Sequence, residues 1–327
     1  MTAQMAVGNG VGKRVEKAWY YSAPMVGLLA FSWVVLEKMI AHMYLVTLIY
    51  AGIPMAISYT IAFVLGALGL YLVWRGLSQN NQVKATWLGY MGGALIWVFW
   101  FEMYLHFIGA ENNFALAKTA EGIVYLDKAA VTALFSGDES IPRPYFMGSH
   151  VFLQSSTLFC MMMMVYMGMN KDIRCRLILW VRNLFGLRAG VPSRGYQPQY
   201  ARVAAAEVMF VNWFMYTLML VVNDERLLGL HHPANYAITV AVTGWAAYII
   251  WKQSKQREVG LAIRYAIAVG GVFWYLPEQA VLWEWFKEPW VYYIDFPITS
   301  LFIITAYIGL MIMFWKTPVN PDTGKSY

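Results

Sequence analysis

The feature that most constrains this chain is the recurrence of apolar segments long enough to cross a bilayer. A helix in hydrocarbon needs about 20 apolar residues, because no water is present to satisfy its backbone. Such segments recur at 19–37, 53–74, 87–108, 146–169, 203–222, 234–251, 263–286 and 294–315. They predict an all-α polytopic integral membrane protein, a bundle of about eight transmembrane helices forming a single membrane domain over residues 1–327. Charged residues make up 13% of the chain and hydrophobic ones 60%, whereas a soluble domain averages about 25% charged. So few polar side chains cannot cover a water-facing surface. A soluble enzyme, a disordered chain and a disulfide-stapled secreted domain are excluded. Cys160 and Cys175, the two cysteines, fall at different depths of this topology.

Charge orients the spans. Arg75, Lys84, the loop cations Lys171, Arg174, Arg176, Arg182, Arg188 and Arg194, then Lys252, Lys255, Arg257, Arg264 and Lys316 all fall on one side. Glu111, Glu121, Asp127, Asp138, Glu139, Asp224, Glu225 and Asp295 fall on the other. The positive-inside rule makes the first side cytoplasmic and puts both termini there. The expected location is a bacterial cytoplasmic (inner) membrane. The basic run Lys13, Arg14, Lys17 precedes the first span, and no small-residue cleavage site follows before Glu37 and Lys38. The first span is therefore read as retained. Met39–Met55 is apolar and open to three readings: a further span, an extension of the first helix, or an interfacial segment.

Two regions are expected not to span. The outer-side loop 110–145 holds short apolar runs broken by charges, and predicts an amphipathic helix near 114–134 lying over the bundle. The cytoplasmic loop 170–202 predicts a basic amphipathic stretch resting on anionic headgroups. Met161–Met164, with Met167 and Met169, are too consecutive to converge on a soft metal and read as flexible packing.

Ionisable groups inside spans are costly and mark functional positions. Glu102 and His106 lie four apart and share a helix face. They read either as a metal or haem site or as a buried hydrogen-bonded pair. His150 opens the fourth span, His231 and His232 precede the sixth, and His42 follows the first. Glu278 stands beside Pro277 in the seventh. Glu207 and Asn212 in the fifth suit a bond between helices or a proton path. All five histidines fall toward the outer side. Glu102 and Glu278 are the candidate catalytic carboxyls. His106 and His150 are candidate cofactor ligands, and His106, His150, His231, His232, Glu102 and His42 are candidate metal ligands. Imidazole with carboxylate suits copper or iron, and histidines on facing helices suit a b-type haem.

Other chemistries are excluded. No P-loop or dinucleotide glycine motif is present. No C-x-x-C-H occurs for covalent haem, and the repeated H-x-x-x-H clusters of membrane di-iron enzymes are missing. No span, with the first ended at Glu37, carries a central lysine for a retinal Schiff base. The net charge of +6 collects at span ends and offers no basic face for nucleic acid. Gly148–Met169 and His231–Trp245 are loosely similar to the third subunit of particulate methane and ammonia monooxygenases. That resemblance implies copper chemistry. The family's Asp-x-x-x-His pair is not matched, since Phe146 stands four positions before His150.

The first functional expectation is a membrane subunit of a metal- or haem-dependent oxidoreductase, an oxygenase acting on a small hydrophobic substrate, with its site near the outer face. The alternatives are a proton-coupled transporter of a small molecule and a non-catalytic structural or assembly subunit. Expected partners are other membrane subunits, lipid, and a quinone or hydrophobic substrate.

Overall fold

The computed structural model describes residues 18–50, 53–104, 115–119, 122–127, 129–130, 133, 138, 140–142, 144–147, 176–186, 198–223 and 227–319. After a short 3-10 turn at Trp19–Tyr21 come α1 (Met25–Tyr50), α2 (Met55–Leu77) and α3 (Gln82–Ile96). α3 runs on without a break through a π-helical turn at Trp97–Glu102. Three strands follow: β1 (Ala115–Thr119), β2 (Gly122–Leu126) and β3 (Pro144–Met147). The short α4 (Arg176–Leu184) precedes the long helices α5 (Tyr200–Asn223), α6 (Pro233–Gln253), α7 (Val259–Leu282) and α8 (Pro297–Trp315). Among the described residues five helices, α1, α2, α5, α7 and α8, are long and apolar enough to cross a membrane. The helical membrane class expected from the sequence holds. The expected span at 146–169 lies outside the described residues, apart from its first two positions in β3.

Among the described long helices α1, α3, α5 and α7 run from one end of the bundle to the other, and α2, α6 and α8 run back. At one end Tyr21 donates to the Met313 carbonyl (3.0 Å), Gln253 to the Gly27 carbonyl (2.8 Å) and Gln82 to Glu258 (2.6 Å). At the other, Ser58 donates to the Leu48 carbonyl (2.6 Å) and Trp283 to the Leu230 carbonyl (3.0 Å). The first end carries Arg75, Lys84, Lys252, Lys255, Arg257 and Lys316, the asymmetry the positive-inside rule describes. α3 ends at the opposite end and α5 begins at the basic one. α5 and α7 are the inner helices, with 67% of their apolar windows buried, against 22% for α2 and 17% for α8.

Three sequence expectations change. The first helix does not stop at Glu37. It continues to Tyr50, so the ambiguous stretch after it is largely its extension. Glu37 and Lys38 had the look of a polar boundary, but they pair with each other at 3.2 Å and are buried, at 5% and 8% exposure. Mutual neutralisation lets both sit mid-helix. Lys38 is therefore a central lysine, and the exclusion of Schiff-base chemistry on that ground no longer stands.

Where an amphipathic helix is expected near 114–134, only the described residues 129–130 and 133 are helical, and residues 115–126 form a β-hairpin, extended by β3 in the order β2-β1-β3. Its register pairs Ala115 with Leu126 and Ala117 with Val124. Cross-strand partners share a face, and Ala117 and Leu126 are buried in the main core with Val124 packed against it. Alternation with period two, not 3.6, was the operative pattern here.

A buried amide network locks the non-basic end. Asn223 and Gln279 exchange hydrogen bonds at 2.8 and 2.9 Å. Asn235 Nδ2 lies 2.9 Å from Asn223 Oδ1 and 3.1–3.3 Å from the carbonyls of Gly229, Leu230 and Val222, which share its two N–H groups. All three amides are fully buried. Asn235→Leu is expected to lower stability by about 2 kcal/mol, since it strands carbonyls that no water reaches. Thermal melting in detergent measures this. α7 ends on Glu284 in the left-handed region, φ 59°, while Trp285 N–H bonds back to the Ala280 carbonyl at 2.9 Å. A side chain is strained there, so Glu284→Gly is expected to raise stability by about 0.5–1 kcal/mol in the same assay.

Candidate functional site

Three helices bring ionisable side chains together inside the bundle. α1 supplies Glu37, Lys38 and His42, α3 supplies Tyr90 and Glu102, and α7 supplies Trp274 and Glu278. The extension of α1 makes this possible: with the helix centred near Glu37 and Lys38, these two lie at mid-depth, and His42 lies one turn nearer the non-basic end. On α3 the π turn adds a residue to the helical repeat just before Glu102. Such turns re-aim a side chain and recur at functional positions. Its residues Trp97, Val98, Phe99 and Glu102 are all buried.

The geometry is specific at His42. Its Nδ1 lies 2.9 Å from the Lys38 carbonyl, and its Nε2 lies 3.1 Å from Glu278 Oε1. A carbonyl only accepts, so Nδ1 carries a hydrogen. Nε2 and the carboxyl then face one another across a single proton, held on nitrogen or on oxygen. Trp274 Nε1–H donates to the same Glu278 Oε1 at 2.8 Å, and its ring lies 5.4 Å from the imidazole. That indole fixes the carboxyl toward His42. Pro277, inside α7, has no N–H to offer the Phe273 carbonyl.

The second pair lies a turn deeper. Glu37 Oε2 is 3.2 Å from Lys38 Nζ and accepts from Tyr90 O–H at 3.5 Å. Near both pairs stands Glu102, buried at 7% exposure. It lies within electrostatic reach of His42, Lys38, Glu278 and Glu37. A carboxyl at such depth is neutral or is compensated by neighbouring charge. The cluster thus contains an imidazole–carboxyl contact, a lysine–glutamate pair and a fifth titratable group near both.

Of the residues expected from sequence, His42, Glu102 and Glu278 come together. His231 and His232 do not join them. Both are exposed in the turn before α6. His231 Nδ1 is 3.1 Å from the Tyr236 hydroxyl, and His232 Nδ1 accepts from the Ala234 N–H as the cap of α6. His106 and His150 lie outside the described residues. Among the described residues no three His, Cys, Asp or Glu side chains are placed to hold a metal ion. Sequence reasoning missed Glu37, Lys38, Tyr90 and Trp274. The four-residue step from Lys38 to His42, and that from Trp274 to Glu278, were the available signals, since each puts two polar groups on one helix face.

No family model, curated protein or solved structure matches this chain.

Proposed function

We propose that this chain is a proton-coupled carrier of a small molecule, crossing a bacterial inner membrane eight times with its basic end in the cytoplasm. The observation that carries the reading is the 3.1 Å contact between His42 Nε2 and Glu278 Oε1, close to the buried Glu102. A structural ion pair needs two groups. Here five titratable groups from three helices stand close together. Such an arrangement passes a proton by small displacements of α1 against α7. Movement of these helices shifts the Nε2–Oε1 distance and thereby the side on which the proton rests. Carriers place coupling-ion sites near the bilayer midplane for this reason. The oxidoreductase reading gains no support from His231 and His232, which are engaged in capping and in a tyrosine contact.

The test uses purified protein in liposomes that enclose a pH-sensitive dye. A proton gradient is imposed, and a panel of small hydrophobic acids, amines and neutral solutes is added outside. At least one class is expected to dissipate the gradient faster than in protein-free vesicles. If neither protons nor any labelled solute move above the protein-free rate, the proposal is wrong.

A further inference from the structure

On the other side of α7, away from His42, a cavity of about 930 Å³ lies between α5, α6 and α7, with α4 across it. Its wall is apolar for most of its length: Phe214 and Leu218 on α5, Trp245 and Ile249 on α6, Val269 and Val272 on α7. Along α5 the lining runs from Glu207 to Leu218, eleven residues and so about 16 Å of helix rise. An elongated apolar slot of that length takes the greater part of an acyl chain. α4 contributes Leu179, Trp180 and Asn183 to the lining, and its Leu184, like the adjoining Phe185, is exposed, as suits a helix lying in an interface.

The charge lies at one end only. Lys252, in the last turn of α6, and Arg264, near the start of α7, line the cavity toward the basic end of the bundle. Aromatic rings hold both in place. Lys252 Nζ stands 5.6 Å from the Tyr248 ring and 5.2 Å from the Trp251 ring, and the Arg264 guanidinium 4.7 Å from the Tyr200 ring. Among the described residues neither cation is ion-paired with a carboxylate. Glu207 is the carboxyl in the lining. Among the described lining residues the cations outnumber the carboxyl group two to one, as suits a phosphodiester.

We infer that this cavity is a binding site for a single anionic phospholipid of the leaflet at the basic end. The phosphate lies between Lys252 and Arg264, and one acyl chain runs along Phe214, Leu218 and Val272. Anionic lipid is concentrated in the cytoplasmic leaflet, so a site with its cations at the basic end meets its ligand directly. The inference is independent of the proton-coupled reading, which rests on the opposite face of α7.

The experiment is native mass spectrometry of the full chain. The protein is delipidated in detergent, then incubated with phosphatidylglycerol or with phosphatidylcholine of identical acyl chains. One phosphatidylglycerol per chain is expected to survive detergent removal, retained about tenfold more than phosphatidylcholine, a preference of about 1.4 kcal/mol. The double variant Lys252→Gln, Arg264→Gln is expected to lose that preference, and Val272→Trp to lose the lipid altogether. Equal retention of the two lipids overturns the inference, as does competition by inorganic phosphate alone. A measurement on the native chain covers the case in which a variant fails to fold. Phosphatidylglycerol with a photoreactive group on its acyl chain is expected to label peptides within 207–218 or 261–272. Labelling confined to the exposed faces of α2 and α8 overturns the site.

Discussion

Vesicles containing Glu278→Gln are expected to move protons about a hundredfold more slowly than those containing the native chain, because a positioned acid or base contributes that order of rate. Glutamine keeps the shape of the side chain. Its amide oxygen still accepts the Trp274 N–H that now bonds Glu278 Oε1 at 2.8 Å. It cannot take or release a proton. His42 then faces an amide across the 3.1 Å gap, and the shared proton has only one place to rest. His42→Gln should give a loss of the same order, and the two substitutions together should cost little more than either, since both remove one proton bridge. A purely structural role predicts otherwise: melting temperature would fall in step with flux, and solute-independent properties would change. The rate of dye response in liposomes, read beside thermal melting, separates the two.

Gly89→Leu is expected to abolish the folded protein, or to lower its stability by at least about 3 kcal/mol. α3 and α5 approach so closely at this point that a Cβ on Gly89 would meet the backbone carbonyl of Ala201. Nothing flexible is available to move, and the helices must separate. On the next turn Gly93 faces Ala205 in the same manner, with its built Cβ 2.8 Å from the Ala205 Cα. The separation would therefore open the whole contact and withdraw support from the π turn that carries Glu102. Gly244 on α6 and Gly309 on α8 supply the comparison. Each has open space where a Cβ would stand, and leucine at either is expected to leave melting nearly unchanged. Monodispersity on size exclusion and melting in detergent measure all three. Equal damage from all three would show that leucine at glycine harms this chain for a reason unrelated to helix approach.

Much of the fold was legible residue by residue. The capping Asn81, whose side chain accepts from Val83 and Lys84 N–H groups, and the Pro233 that opens α6 mark helix starts by local chemistry. Asn81 moves the start of the third helix ahead of the expected residue 87, because it satisfies donors that the apolar pattern alone does not register. The hairpin at 115–126 is not legible in the apolar pattern because its apolar positions are few and small. Ala115, Ala117, Val124 and Leu126 match either period over so short a stretch, and only pairing between the two strands separates them.

The candidate site was legible in part. Glu102, His42 and Glu278 drew notice as single ionisable residues in apolar surroundings, a local property. Glu37 and Lys38 did not, because adjacent opposite charges at the end of an apolar run look like the edge of a span.

The sequence by itself determined the class of solvent this chain folds in, the places of most of its long helices, and the asymmetry of charge between its two ends. Each of these follows from transfer free energies summed over contiguous residues. Only the tertiary structure decided that the first helix carries its charges at mid-depth, that His42 meets Glu278 rather than the His231–His232 turn, and that Lys252 and Arg264 share a cavity. Those depend on which helix faces abut, and that is set by where glycine and alanine let backbones approach. Glu37, Tyr90 and Glu278 lie far apart along the chain, and no local free energy relates them until α1, α3 and α7 have packed.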